Sequence, residues 1–123
     1  GYRVLYFNLS KLLARLKMMK ADGSYLKEIT RLEKQDLLIL DDFGLQPIDD
    51  QSRLILLEII EDRYDMKSTI ITSQLPVGNW YEVINEKTIA DAIMDRLLHK
   101  VYRINPKGES MRKTRKRINQ NNQ

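Results

Sequence analysis

The chain has 123 residues, 42% of them hydrophobic and 31% charged, so it belongs with globular chains and has room for one small domain with a core. It has no Cys, which excludes disulfides and thiolate metal sites, and no apolar run is longer than Leu54–Leu57, far too short to cross a bilayer. The net charge of +4 is uneven: residues 107–123 hold six bases and one acid, and the rest sums to −1, so the tail reads either as a polyanion-binding segment or as a solvated end.

Residues 3–8 alternate and are rich in aromatic and β-branched types, which predicts a strand rather than a signal peptide. A cytoplasmic location is the default expectation. Ser10 can cap a helix with Leu12, Leu13, Leu16 and Met19 on one face, ended by Asp22-Gly23. Ser24 starts a second helix to about Glu33, with Leu26, Ile29 and Leu32 on its apolar face. Asp36–Leu40 is an apolar run bounded by charge, the pattern of a strand buried on both faces. Asp49 or Asp50 caps a helix to about Tyr64 that is apolar nearly all round, so burial of most of it is expected.

Residues 68–73 form the next strand, Asn79–Ile84 a short helical turn, and Thr88-x-x-Asp91 a capping box that opens a helix to about His99. Ala92, Ile93, Leu97 and Leu98 are that helix's core candidates. Trp80 is read as a packing anchor, with stacking on a base as the alternative. Val101–Ile104 is a last short strand, and residues 106–108 turn the chain into the basic tail. The alternation of strand and helix predicts an α/β fold with a mostly parallel sheet. The expected division is a core over 1–106 and a basic tail over 107–123.

The sharpest feature is Leu37-Leu38-Ile39-Leu40-Asp41-Asp42-Phe43-Gly44. Two adjacent acids at the carboxyl end of a buried strand stand where open α/β sheets bind ligands. This is the layout of a Walker B element, in which the first acid supports Mg²⁺ on a nucleotide and the second orients the attacking water. Taken alone, two such acids can equally be a turn or a helix cap.

The order and spacing of further segments resemble the IstB-like helper ATPases of insertion sequences, relatives of the DnaC and DnaI helicase loaders of the AAA+ type. The segments are residues 1–8, 20–25, 38–44, 58–64, 68–71, 90–97 and 107–113. The resemblance implies an incomplete three-layer P-loop NTPase core, with ATP and Mg²⁺ as cofactors. DNA, a transposase and further copies of the chain are the implied partners. It gives Asp41 to Mg²⁺ through water, Asp42 to the attacking water and Gln74 to the first sensor, where relatives commonly have Asn. Arg96 matches the arginine finger that reaches a neighbouring subunit, and Arg112 the second sensor. Lys113, Arg115, Lys116 and Arg117 are the candidates for contact with nucleic acid. Read without the family, Arg96 would form an ion pair on its own helix with Asp95 or Asp91.

One departure governs the function. No Gly-x-x-x-x-Gly-Lys-Ser or -Thr phosphate loop occurs, so the backbone and Lys cradle for ATP is absent from this sequence. The chain alone is therefore not expected to bind ATP with its Mg²⁺ or to hydrolyse ATP, and enzyme activity is left open. The primary expectation is the carboxy-terminal part of a transposition helper ATPase. A helicase-loader-like ATPase and a non-enzymatic DNA- or partner-binding remnant are the alternatives. With the phosphate-loop strand missing, three strands should pair in parallel around Asp36–Leu40. Val101–Ile104 should then be unpaired, displaced, or drawn in beside Thr69–Thr72.

Overall fold

Hydrophobic periodicity switches between two and 3.6 along the chain, and the elements follow it. A computed structural model describes residues 1–104, with side chains described through residue 98. The order is β1 (Val4–Asn8), α1 (Leu9–Asp22), α2 (Tyr25–Glu33), β2 (Leu37–Phe43) and α3 (Asp50–Arg63). Then come β3 (Ser68–Ser73), a 3₁₀ turn (Val77–Asn79), α4 (Trp80–Ile84), α5 (Lys87–Lys100) and β4 (Val101–Ile104).

The sheet order is β1-β2-β3-β4 and all three pairings are parallel. The three expected strands therefore surround β2, and β4 has moved in beside β3, with Thr69 opposite Val101 and Thr72 opposite Ile104. Each parallel pair needs a crossover, which the helices supply.

Register sorts the strand residues into two faces. Leu5, Phe7, Leu38, Leu40, Thr69 and Ile71 share one face. Leu38, Leu40 and Ile71 are fully buried there, in one core with Leu12, Leu16, Leu32, Ile55, Leu56, Ile59, Ile93 and Leu97 from the helices. On the other face lie Val4, Tyr6, Leu37, Ile39 and Ile70, none of which belongs to that core. Val4 is 51% and Tyr6 60% exposed. Parallel sheets normally carry helices on both faces; among the described residues only one face is covered.

Several boundaries differ from expectation. Asn8, not Ser10, caps α1: its Oδ1 accepts the Lys11 N–H at 3.1 Å. The short Asn side chain reaches this amide from an extended backbone, which Ser10 inside the helix cannot do. Gly23 closes α1 at φ 85°, a left-handed turn that costs Gly little. Leu26 is 72% exposed, because Tyr25, Ile29 and Leu32 already fill the face of α2 that meets the core. β2 runs three residues past Leu40, carrying both acids within the strand.

α3 is not buried all round. Leu54 is 54% exposed, while Arg53 and Arg63 are buried in its place. Each arginine pairs its donors with carbonyls, which makes burial tolerable. Glu86, not Thr88, caps α5, accepting from the N–H groups of Thr88 at 3.3 Å and Ile89 at 2.7 Å. Met94 takes the buried position expected of Leu98, which is 40% exposed. Asp49 does cap α3, accepting from Ser52 N–H at 2.8 Å, and Lys17 of α1 pairs with it at 2.5 Å.

Candidate functional site

The acids stand at the carboxyl end of β2, where the ladder to β3 is irregular between Leu40 and Phe43. Asp42 has φ 63° and Gly44 φ 91°, so the backbone turns sharply on either side of Phe43. Left-handed backbone is rare for residues other than Gly, Asn and Asp. Phe43 anchors the turn against Trp80, with ring centroids 4.4 Å apart. Trp80 is 1% exposed and its Nε1–H donates to the Leu75 carbonyl at 3.1 Å. It is thus a packing anchor, with no exposed face for a base. Ser73 completes the support, donating to the Phe43 carbonyl at 2.6 Å and accepting from Leu75 N–H at 3.0 Å.

Asp41 lies on the uncovered face of the sheet, in register with Asn8 and two residues past Ile39. Tyr6 of β1 donates its hydroxyl to one carboxylate oxygen, and Thr72 of β3 donates to the other. These two hydroxyls, Thr72 first, hold the Asp41 carboxyl below its ordinary range. The same contact raises the Tyr6 phenol, whose ionisation would face a carboxylate. Asp42 gives its N–H to Thr72 Oγ1 at 3.0 Å and accepts from Asn8 Nδ2 at 3.4 Å.

The other expected residues divide by location. Gln74 follows directly on β3 and is exposed at the same end of the sheet as the acids. Arg96 is at the opposite end. It pairs with Glu61 of α3 at 3.2 Å, lies 5.9 Å from the Tyr64 ring centre and donates to the Ala92 carbonyl at 2.9 Å. Its partner is therefore on α3, not the Asp95 or Asp91 of its own helix. It borders a small hollow with Lys67 and Thr69, at the start of β3. Thr69 and Thr72 are separated by roughly 10 Å of strand, so Arg96 is not part of the cluster around Asp41. Arg112, Lys113, Arg115, Lys116 and Arg117 lie outside the described residues.

Sequence reasoning missed Tyr6, Thr72 and Asn8 at this site. The signal was present: Val4, Tyr6 and Asn8 alternate, and parallel pairing in register with β2 puts them on the face of Asp41. Among the described residues no group of three or more acids or histidines gathers to hold a metal unaided. Asp41 and Asp42 place two carboxylates at the carboxyl end of β2. That number suits Mg²⁺, which keeps waters and takes its remaining oxygens from substrate phosphates.

A parallel sheet crossed over by helices, with an acid pair at the carboxyl end of an inner strand, is an open α/β fold, the class that binds ligands at that end. The solved DnaC helicase loader has this fold: it matches with a TM-score of 0.67 and 25% sequence identity, covering 85% of this chain and 62% of that one. The fold is accordingly a portion of a P-loop NTPase of the DnaC kind. Residues 1–119 match the family of IstB-like ATP binding proteins, and the chain belongs to that family.

An insertion sequence ATP-binding protein of Sinorhizobium fredii is 51% identical over 114 residues, covering 93% of this chain and 46% of that protein. The insertion sequence IS21 ATP-binding protein of Pseudomonas aeruginosa is 34% identical, covering 95% and 44%. The IS5376 protein of Geobacillus stearothermophilus is 32% identical, covering 100% and 49%. The chain spans about half the length of the curated relatives it matches. No helix among the described residues is long and apolar enough to cross a membrane.

Proposed function

We propose that residues 1–123 form the carboxy-terminal part of an ATP-dependent transposition helper that works on DNA with a transposase. In this reading they carry the hydrolytic acids and the rest of the longer protein brings the phosphate-binding loop. The observation that carries the reading is Asp41, held at both oxygens at the carboxyl end of β2 and followed by Asp42 in a fixed left-handed turn. Family membership over residues 1–119 supports it.

Bound Mg²⁺ would neutralise phosphate charge at this site. Asp41 would hold the water shell of the ion and Asp42 would orient the attacking water. Gln74 stands exposed at the same sheet end. The phosphates themselves do not fit this chain, which has no Gly-rich loop ending in Lys-Ser or Lys-Thr. Arg96 would act on a neighbouring copy, since it sits away from its own acids. Arg112 would face the nucleotide, and Lys113, Arg115, Lys116 and Arg117 would bind DNA phosphates.

The test is a chimera in which residues 1–123 replace the matching segment of the Sinorhizobium fredii relative. The chimera should hydrolyse ATP, while residues 1–123 alone should not. Asp41→Ala and Asp42→Asn should each lower kcat at least about 100-fold, the scale of losing an oriented catalytic group. Turnover unchanged by both substitutions would refute the reading. The six bases of residues 107–123 favour a second reading, a DNA- or partner-binding role, in which the tail binds DNA and no chimera hydrolyses ATP.

A further inference from the structure

We infer that Tyr6 and Thr72 are positioning residues for Asp41, clamping its carboxylate from the two strands that flank β2. The inference rests on Asp41 being the metal-side acid proposed above.

The clamp is directional. A Thr hydroxyl has one proton to give. Asp42 N–H points into Thr72 Oγ1 at 3.0 Å, so the Thr72 proton is turned outward, onto Asp41. Tyr6 closes the other side. Its ring stands on the open face of the sheet, 60% exposed and outside the core, and its hydroxyl ends on Asp41. Packing in the core therefore does not account for Tyr6. A carboxylate has about four acceptor sites; one donor on each oxygen fixes the plane and leaves the other lone pairs for a ligand.

The chemistry of the donors matters as much as their number. Five other acids among the described residues face a cation: Glu28 meets Arg15 and Arg31, Asp36 meets Lys67, Asp49 meets Lys17, Asp50 meets Arg53, and Glu61 meets Arg96. Those acids are neutralised. Asp41 is held by two neutral hydroxyls instead, so it is oriented without losing the negative charge a divalent ion needs. Outer partners of this kind orient metal-binding carboxylates in general, and losing one costs about 10-fold to 100-fold in metal affinity or activity.

The experiment uses the 123-residue chain and Mn²⁺ alone as the probe. Paramagnetic broadening of the Asp41, Asp42 and Phe43 amide signals reports occupancy. Asp41→Ala should abolish the broadening. Tyr6→Phe and Thr72→Val should each raise the Mn²⁺ concentration for half-effect about 10-fold, and Thr72→Ser, which keeps the hydroxyl, should restore it. Thermal melting of Tyr6→Phe should stay at the native value, because the hydroxyl is at the surface. A cross-strand contact serving stability alone would move the melting curve and leave Mn²⁺ binding alone. Broadening lost in Asp41→Ala but unchanged in Tyr6→Phe and Thr72→Val overturns the positioning role and leaves the acid's role standing. Broadening that survives Asp41→Ala, or is absent from the native chain, overturns both.

Discussion

Truncating Arg63 should cost this fold a large share of its margin of stability. The residue is 1% exposed at the end of α3. Its guanidinium donates to the carbonyls of Leu32 at 2.7 Å, Gln35 at 2.7 Å and Ser68 at 2.5 Å, and to Thr69 Oγ1 at 2.9 Å. It thereby ties α3 to the end of α2 and to the first residues of β3. Burial lowers its pKa to about 10, with Asp36 opposing the fall, so it remains charged at neutral pH. Arg63→Ala takes a donor from three buried acceptors, on Leu32, Gln35 and Thr69, and from the part-buried Ser68 carbonyl. At about 1 kcal/mol per lost bond the cost is about 4 kcal/mol, before any cavity is counted. Small domains are stable by about 5–15 kcal/mol, so the loss is a large share of that margin. Arg63→Lys keeps the charge but not the planar fork, and about half the loss is expected. Urea unfolding followed by circular dichroism measures both, provided the slopes agree with the native chain. A loss below about 1 kcal/mol for Arg63→Ala would refute the account, since the acceptors would then have found other donors.

Gly44→Ala should destabilise by about 1–3 kcal/mol in the same assay, because φ is 91° and a Cβ would stand 2.5 Å from Leu75 Cδ1. Asp49 is lowered to about 2, first by Lys17 and then by the Ser52 amide. Its folded value lies below the unfolded one, so its stabilisation is complete above about pH 4 and fades as pH falls towards 2. Melting temperatures should drop across that window, and Lys17→Met should flatten the drop. For the tail, duplex DNA binding by the native chain should weaken with salt at a slope of about −3.6 in log K against log salt if all four side chains touch phosphates. Replacing Lys113, Arg115, Lys116 and Arg117 with Ala should remove most of that slope, measured by fluorescence anisotropy; an unchanged slope would place DNA binding elsewhere.

The strand and helix order was legible because it rests on local periodicity, as in Leu37–Leu40 and in Leu12, Leu13 and Leu16. The place of the acids at the carboxyl end of a strand was legible because a short apolar run bounded by charge marks a buried strand. The supports were not. Arg63 bonds to residues 28 and 31 positions away, and Tyr6 meets Asp41 across 35. Such contacts leave no periodic trace; they follow only once strand register is known. Caps failed for a related reason. Asn8 and Glu86 each stand just before the first helical turn, where several polar residues compete, and geometry rather than residue type selects the one that bonds.

Asp41 shares its sheet face with Val4, Tyr6, Leu37, Ile39 and Ile70, and that face is bare among the described residues. Anything laid across those apolar side chains also roofs the carboxylate. Removing water lowers the local dielectric, and the pull of a fixed negative charge on a nearby cation rises several-fold between water and protein-like surroundings. Covering the sheet and strengthening the acid are therefore one event, and the hydrophobic gain that seats the cover also sets the electrostatic strength of the site beneath it.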